Sequence, residues 1–151
     1  MKIRKYKSDD YKEVVELFHN TIHSICSGDY NKNQLDAWAP TPIDYQKWKD
    51  RLNKSKPILA TTEDRIIGFA EIENGHIDCF YVHRDYQGQG VGTFLLNELV
   101  AISKNTGKLQ AEVSITAKPF FLNHGFEVVK ENSVQIDNET LVNFTMEKNL
   151  S

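Results

Sequence analysis

The 151-residue chain reads as an α/β (α+β) protein. Three observations predict that class. The front third carries apolar residues at helical spacing. The middle holds three β-rich runs in succession, PILATTE, RIIGFAEI and HIDCFYV, separated by the short turns EDR and ENG as in an antiparallel meander. Helix and strand patterns then alternate toward the C-terminus, so the expected order is β, helices, β-β-β, α, β, α, β-β.

Each element has a local reason. KIRKY alternates as a strand, and Ser8 offers an N-cap followed by Asp9 and Asp10, which suit the positive end of a helix dipole. The first helix is expected over roughly residues 8–26, with Tyr11, Val14, Val15, Phe18, Ile22 and Ile25 on its apolar face. NQLDAWAPTP reads as a short helix or turn closed by Pro40 and Pro42, and IDYQKWKDRLNKS as an amphipathic helix before Pro57. After the meander, Val91, Phe94, Leu95, Leu99 and Ile102 mark a helix that ends near Asn105 to Gly107. LQAEVSI is a strand, and AKPFFLNH is a short helix with Pro119 in its first turn and Gly125 at its end. FEVVKENSVQI and LVNFTMEK form a hairpin around IDNET.

With 40% hydrophobic residues the chain can build one core, so a single domain over residues 1–151 is expected. Eighteen basic against 21 acidic residues, a net charge of -3, give no broad positive field for nucleic acid or an anionic membrane. Cys26 and Cys79 lack the spacing of a metal site or disulfide framework, which suits a reducing cytoplasm. No signal-like segment and no run near the ~18 apolar residues of a membrane helix is present, so a soluble protein is expected.

The chemistry concentrates at YQGQGVG, between HIDCFYV and the following helix. A plain glycine-rich turn would explain part of it. Gly92, however, falls in the first helical turn, where glycine costs about 0.8–1 kcal/mol relative to alanine, and a bound anion would supply a reason. A dinucleotide fingerprint would need glycine where Thr93 stands and a βαβ unit before it, and a Walker loop would need a following Lys-Ser or Lys-Thr. There remains a pyrophosphate cradle of backbone N–H groups at a helix N-terminus.

Gln87, Gly90 and Gly92 match the pattern Q/R-x-x-G-x-G/A, and SITAKPFFLNHGF is similar to N-x-x-A-x-x-L-Y-x-x-x-G-F. In these motifs and in element order, nearly the whole chain resembles the GNAT N-acetyltransferase superfamily. The front, YNKNQLDAWAP followed by WKDRL, resembles a branch of small bacterial members. The resemblance implies a mixed, mostly antiparallel central sheet of about seven strands flanked by helices, with acetyl-CoA as co-substrate and a small-molecule or peptide amine as acceptor.

By the same resemblance, Gln87, Gly88, Gln89, Gly90, Val91 and Gly92 hold the pyrophosphate, the main chain of Val82 anchors pantetheine, and the Phe80 amide polarises the thioester carbonyl. Arg84 and Lys118 either add charge or are ordinary solvated surface. The amine must be neutral to attack. By the period-two rule His76, Asp78 and Phe80 share one strand face, and Ile77, Cys79 and Tyr81 the other. Asp78 is favoured as base, with His76 acting through water; the alternative for Asp78 is a buried carboxylate bonded to backbone or a tyrosine. Glu71 and Glu73 are weaker candidates, read as lying on a solvent face.

Two departures stand out: Phe121 occupies the position of the family's tyrosine acid, and Ser114 that of its asparagine. By the resemblance Ser114 alters a pantetheine contact, while Phe121 and the unassigned base motivate the alternative of a non-catalytic acyl-CoA sensor. His19 and His23 have the four-residue spacing of zinc ligands, but Asn20 replaces the glutamate of H-E-x-x-H, so no metal is expected. Trp38 and Trp48 read as packing residues near the acceptor wall. A homodimer through the C-terminal strands is compatible with the pattern but not required by it.

Overall fold

Seven strands pair side by side in the computed structural model, which describes residues 1–150. They are β1 (Lys2–Lys5), β2 (Ile58–Thr62), β3 (Arg65–Glu73), β4 (His76–Val82), β5 (Lys108–Ser114), β6 (Glu127–Ile136) and β7 (Glu139–Asn149). Their order in the sheet is β1-β2-β3-β4-β5-β7-β6. All neighbours are antiparallel except β4 and β5, which are parallel. This mixed, mostly antiparallel sheet agrees with the expected class.

The helices divide between the two faces. Helices α4 (Val91–Ile102) and α5 (Lys118–Asn123) cover one, where Leu95, Leu99, Phe121 and Phe126 join Ile77, Leu109 and Met146 in a core. Helices α1 (Tyr11–Ile25), α2 (Lys32–Trp38) and α3 (Tyr45–Ser55) cover the other, packing Phe18, Ile22, Leu35 and Leu52 against Phe69, Cys79 and Leu141. No helix among the described residues is long and apolar enough to cross a membrane.

The first helix starts later than expected. Ser8 to Asp10 form a single 3-10 turn and α1 begins at Tyr11. Ser8 makes no side-chain cap; Asp10 instead accepts from the Lys7 amide at 2.7 Å and from the Arg4 guanidinium at 2.8 and 3.0 Å. The ion pair fixes the exit of β1 and leaves the capping role to a turn.

The feature that positions the site is a bulge in β4. Cys79 opposes Glu71 and Ile77 opposes Ile72, so Asp78 is an extra residue with no partner of its own. The bulge reverses the alternation on which the face assignment of the sequence rested. Ile77, Phe80 and Val82 pack toward α4 and α5, while Cys79 and Tyr81 pack toward α1 to α3. Asp78 therefore does not share a face with Phe80. It lies beside His76, whose Nε2 is 3.3 Å from its Oδ1.

Candidate active site

Strands β4 and β5 pair only at His76 with Gln110 and Ile77 with Ala111, then part. Beyond that point the β5-facing edge of β4 has lost its neighbour. His83 donates to Ile67 on β3, whereas the Val82 carbonyl points the other way, accepting from Thr21 at 3.0 Å and Gln87 at 2.8 Å. Strand alternation then puts the N–H groups of Phe80 and Val82 on the same open edge, available to an added extended chain. A cavity of about 360 Å³ fills the fork.

One end of the cavity meets the glycine loop. Gly90 takes φ +83°, a left-handed conformation that places it at the N-cap of α4, and a side chain there would face open space. Phe94 N donates to Gly90 O, so the amides of Val91, Gly92 and Thr93 find no acceptor within the helix. No side chain caps them and the first turn holds no acidic residue. Bare donors, an aligned helix dipole and unobstructed access fit a pyrophosphate group.

Gly92 has a packing reason beside the bound anion inferred from the sequence. A Cβ there would lie 2.9 Å from the Phe120 ring, so its bareness admits helix α5. A second tie holds the same two helices together. Phe120 O can only accept, so His124 Nδ1, 2.8 Å away, carries the proton and Nε2 receives the Thr93 hydroxyl at 2.9 Å. Val91 turns its side chain into the core against Gly68 and has only its amide to offer. Gln87 braces the loop on β4, and Gln89 bonds the Asp85 carbonyl at 3.3 Å. Arg84 stays in the short turn before the loop, and the Lys118 ammonium sits 4.2 Å from the centre of the Phe144 ring.

The other side of the fork carries the carboxylates. Asp78 is half exposed, with 50% of its side chain accessible, and its partner is His76. The buried, backbone-bonded alternative does not hold. One step past the Ile77–Ala111 pair, Glu112 follows on β5 just as Asp78 follows on β4, and both line the cavity. Glu112 accepts from the Thr145 hydroxyl, which in turn receives Asn132. Sequence reasoning passed over Glu112, although an acid within LQAEVSI is the same oddity that singled out Asp78.

Glu71 departs from its expected solvent face. Its residue is 2% exposed, and its carboxylate is held by the Arg51 guanidinium and by the Ser55 hydroxyl at 2.6 Å. Arg51 also stacks on Trp48 and reaches the Cys79 sulfur at 3.2 Å. Burial, reinforced by Glu71, pushes the Cys79 thiol well up and keeps it protonated. His19 and His23 bond Thr41 Oγ1 and the Ala39 carbonyl, respectively. No metal-binding cluster occurs among the described residues.

The family comparison joins these features. The Acetyltransferase (GNAT) domain matches residues 26–150. The chain belongs to the GNAT acetyltransferase family. It is 33% identical over 146 residues to the uncharacterized N-acetyltransferase YafP of Escherichia coli (strain K12), covering 97% of this chain and 94% of the relative. A crystal structure of the GCN5-related N-acetyltransferase named Aminotransferase, Class-II, from Rhodopseudomonas palustris superimposes with a TM-score of 0.92 at 34% identity, covering 99% of this chain and 95% of that one. The same fold recurs at 16% identity and TM-score 0.75 in the phosphinothricin acetyltransferase of Sinorhizobium meliloti in complex with AcCoA, over 99% and 88% of the two chains.

The two departures from the GNAT motif have defined surroundings. Ser114 Oγ accepts from the Ala117 amide at 3.1 Å and shapes the entry to α5. Phe121 is 3% exposed, edge-on to Phe80 and Phe126, so this position contributes aromatic packing and no hydroxyl to the cavity wall.

Proposed function

We propose that this acetyltransferase moves an acetyl group from acetyl-CoA to an amine by direct attack in a ternary complex. One observation carries the reading: the uncapped, glycine-lined start of α4 and the unpaired edge of β4 lead to the same fork. Acetyl-CoA would supply the activated thioester. The amides of Gln87 to Gly92 hold its pyrophosphate, Val82 pairs with its pantetheine arm, and the Phe80 amide faces the thioester oxygen.

Asp78, at the bulge, takes the proton from the attacking amine as its nitrogen bonds to the carbonyl carbon and the carbon–sulfur bond breaks. His76 keeps Asp78 oriented and passes the proton to water. With phenylalanine at position 121, the departing thiolate takes its proton from solvent, which a thiol of ordinary acidity allows. The sensor reading rests on that substitution and on the unassigned base, and the family membership does not favour it. The free, buried cysteines suit a reducing cytoplasm. The edge strand β6 offers a route to a homodimer.

Gly90→Asp tests the cradle, because it forces a side chain into a left-handed position and sets a carboxylate against the pyrophosphate. The thermal shift produced by acetyl-CoA should disappear, and an unchanged shift would remove the loop from the site. Asp78→Asn should keep that shift and slow release of free CoA by about 10²–10⁴-fold. Wild-type release by the variant would move the base role to Glu112.

A further inference from the structure

The acceptor end of the cavity has a definite chemistry. Its walls are Ile25, Tyr30, Trp38, Tyr81, Ile136 and Leu141, brought together from α1, the link to α2, α2 itself, β4 and the β6–β7 hairpin. Among the described residues, the only carboxylates lining the cavity are Asp78 and Glu112, and no Lys, Arg or His lines it. A ligand carboxylate or phosphate would meet two like charges and no cation.

The neutral polar groups offer little more. Tyr30 Oη donates to the Val142 carbonyl at 2.6 Å and accepts from the Ile115 amide at 2.9 Å. Thr21 is committed to Val82 and Thr116 to Asp29, while Ser114 Oγ and Asn143 Oδ1 accept from Ala117 and Asn132 and leave only their own neutral donors to a ligand. A strongly hydrated acceptor would exchange its water for a few neutral donors and no cation, and so regain only part of its hydrogen bonding. An apolar body would lose nothing, and an aromatic ring would find aromatic partners.

We infer that the acceptor is a small hydrophobic primary amine, aromatic or aliphatic, that carries no acidic group. Its ammonium form is drawn to Asp78 and Glu112, and its apolar body lies against Trp38, Tyr81 and Leu141. The inference rests on the acetyl-transfer reading of the same site but makes a separate claim about recognition.

Calorimetric titration of the protein–CoA complex with 2-phenylethylamine and with L-phenylalanine tests it, since the two differ by one carboxylate. The amine should bind at least about tenfold more tightly, the scale of one unfavourable charge contact. Glu112→Lys, at an exposed position, should close most of that gap by strengthening phenylalanine binding. Equal or tighter binding of phenylalanine to the wild type, binding of neither compound, or a gap unmoved by Glu112→Lys overturns the inference. If the amine binds in the expected order but no CoA thiol is released, the transfer reading fails while the recognition claim stands.

Discussion

On the α4/α5 side of the fork, the proposed anion-binding surface is one short stretch from Gln87 to Thr93, built of main-chain groups. On the α1–α3 side, the wall comes from α1, α2, β4, β5 and the tip of the β6–β7 hairpin, and it does so with side chains. Backbone donors at a helix start need only the right dihedral angles. A wall of side chains from distant segments needs each segment to be held in place by further contacts. The two sides should therefore respond differently to mutation: changes at loop positions that face open space, such as Gly90, cost ligand binding alone, and changes on the side-chain wall cost stability as well.

Arg51→Ala should give the largest effect on folding. It strands the Glu71 carboxylate, which is almost fully buried and would keep only the Ser55 hydroxyl and the Cys79 thiol beside it. Breaking a buried ion pair costs about 3–5 kcal/mol, and the lower end applies because the Arg51 side chain is 46% exposed. Urea denaturation should show that loss, and Arg51→Ala/Glu71→Leu should recover most of it. A single variant as stable as the wild type would break the comparison, because the acceptor side would then not depend on its side-chain network.

Gly92→Ala probes the opposite side with a smaller expected effect. The added methyl meets the Phe120 ring at 2.9 Å, and relieving such overpacking costs about 1–3 kcal/mol. Phe120→Leu in the same chain should return much of the stability. If Gly92→Ala instead leaves the melting temperature unchanged and weakens only acetyl-CoA binding, the glycine serves the ligand, as the sequence suggested, and not the packing of α5.

These cases mark what was legible in the sequence. The strands and helices were readable because period and turn chemistry are local, and the glycine loop because a left-handed N-cap before an apolar helix is local too. The roles that were misread depend on partners elsewhere. Glu71 looked solvent-facing until Arg51, twenty positions earlier, was placed over it. Asp78 kept its place as candidate base but lost its shared face with Phe80, since strict alternation cannot register an inserted residue. Ser8 looked like a cap because its competitor, Asp10, is recruited by Arg4 from the preceding strand. Gly92 has a second reason that the sequence did not show, because Phe120 approaches it from a later helix.

The smallest predicted effect concerns how the acceptor side is tethered at its start. Asp10 precedes α1, which carries Thr21 and Ile25 to the cavity, and Arg4 lies on β1. The Arg4 hydrogen bonds hold the Asp10 carboxyl below its ordinary value, with the Lys7 amide helping. The folded protein thus binds this proton less readily than the unfolded chain does. Its contribution is complete above the ordinary aspartate value of about 3.9 and is lost as pH falls through the lower folded value. Asp10 and Arg4 are partly solvated, so the amount is about 0.5–1 kcal/mol. The melting temperature of Asp10→Asn should lie slightly below wild type at pH 6, and the difference should shrink as the pH approaches 3. A difference that grew on acidification would reverse the sign and remove the ion pair from the anchoring of α1.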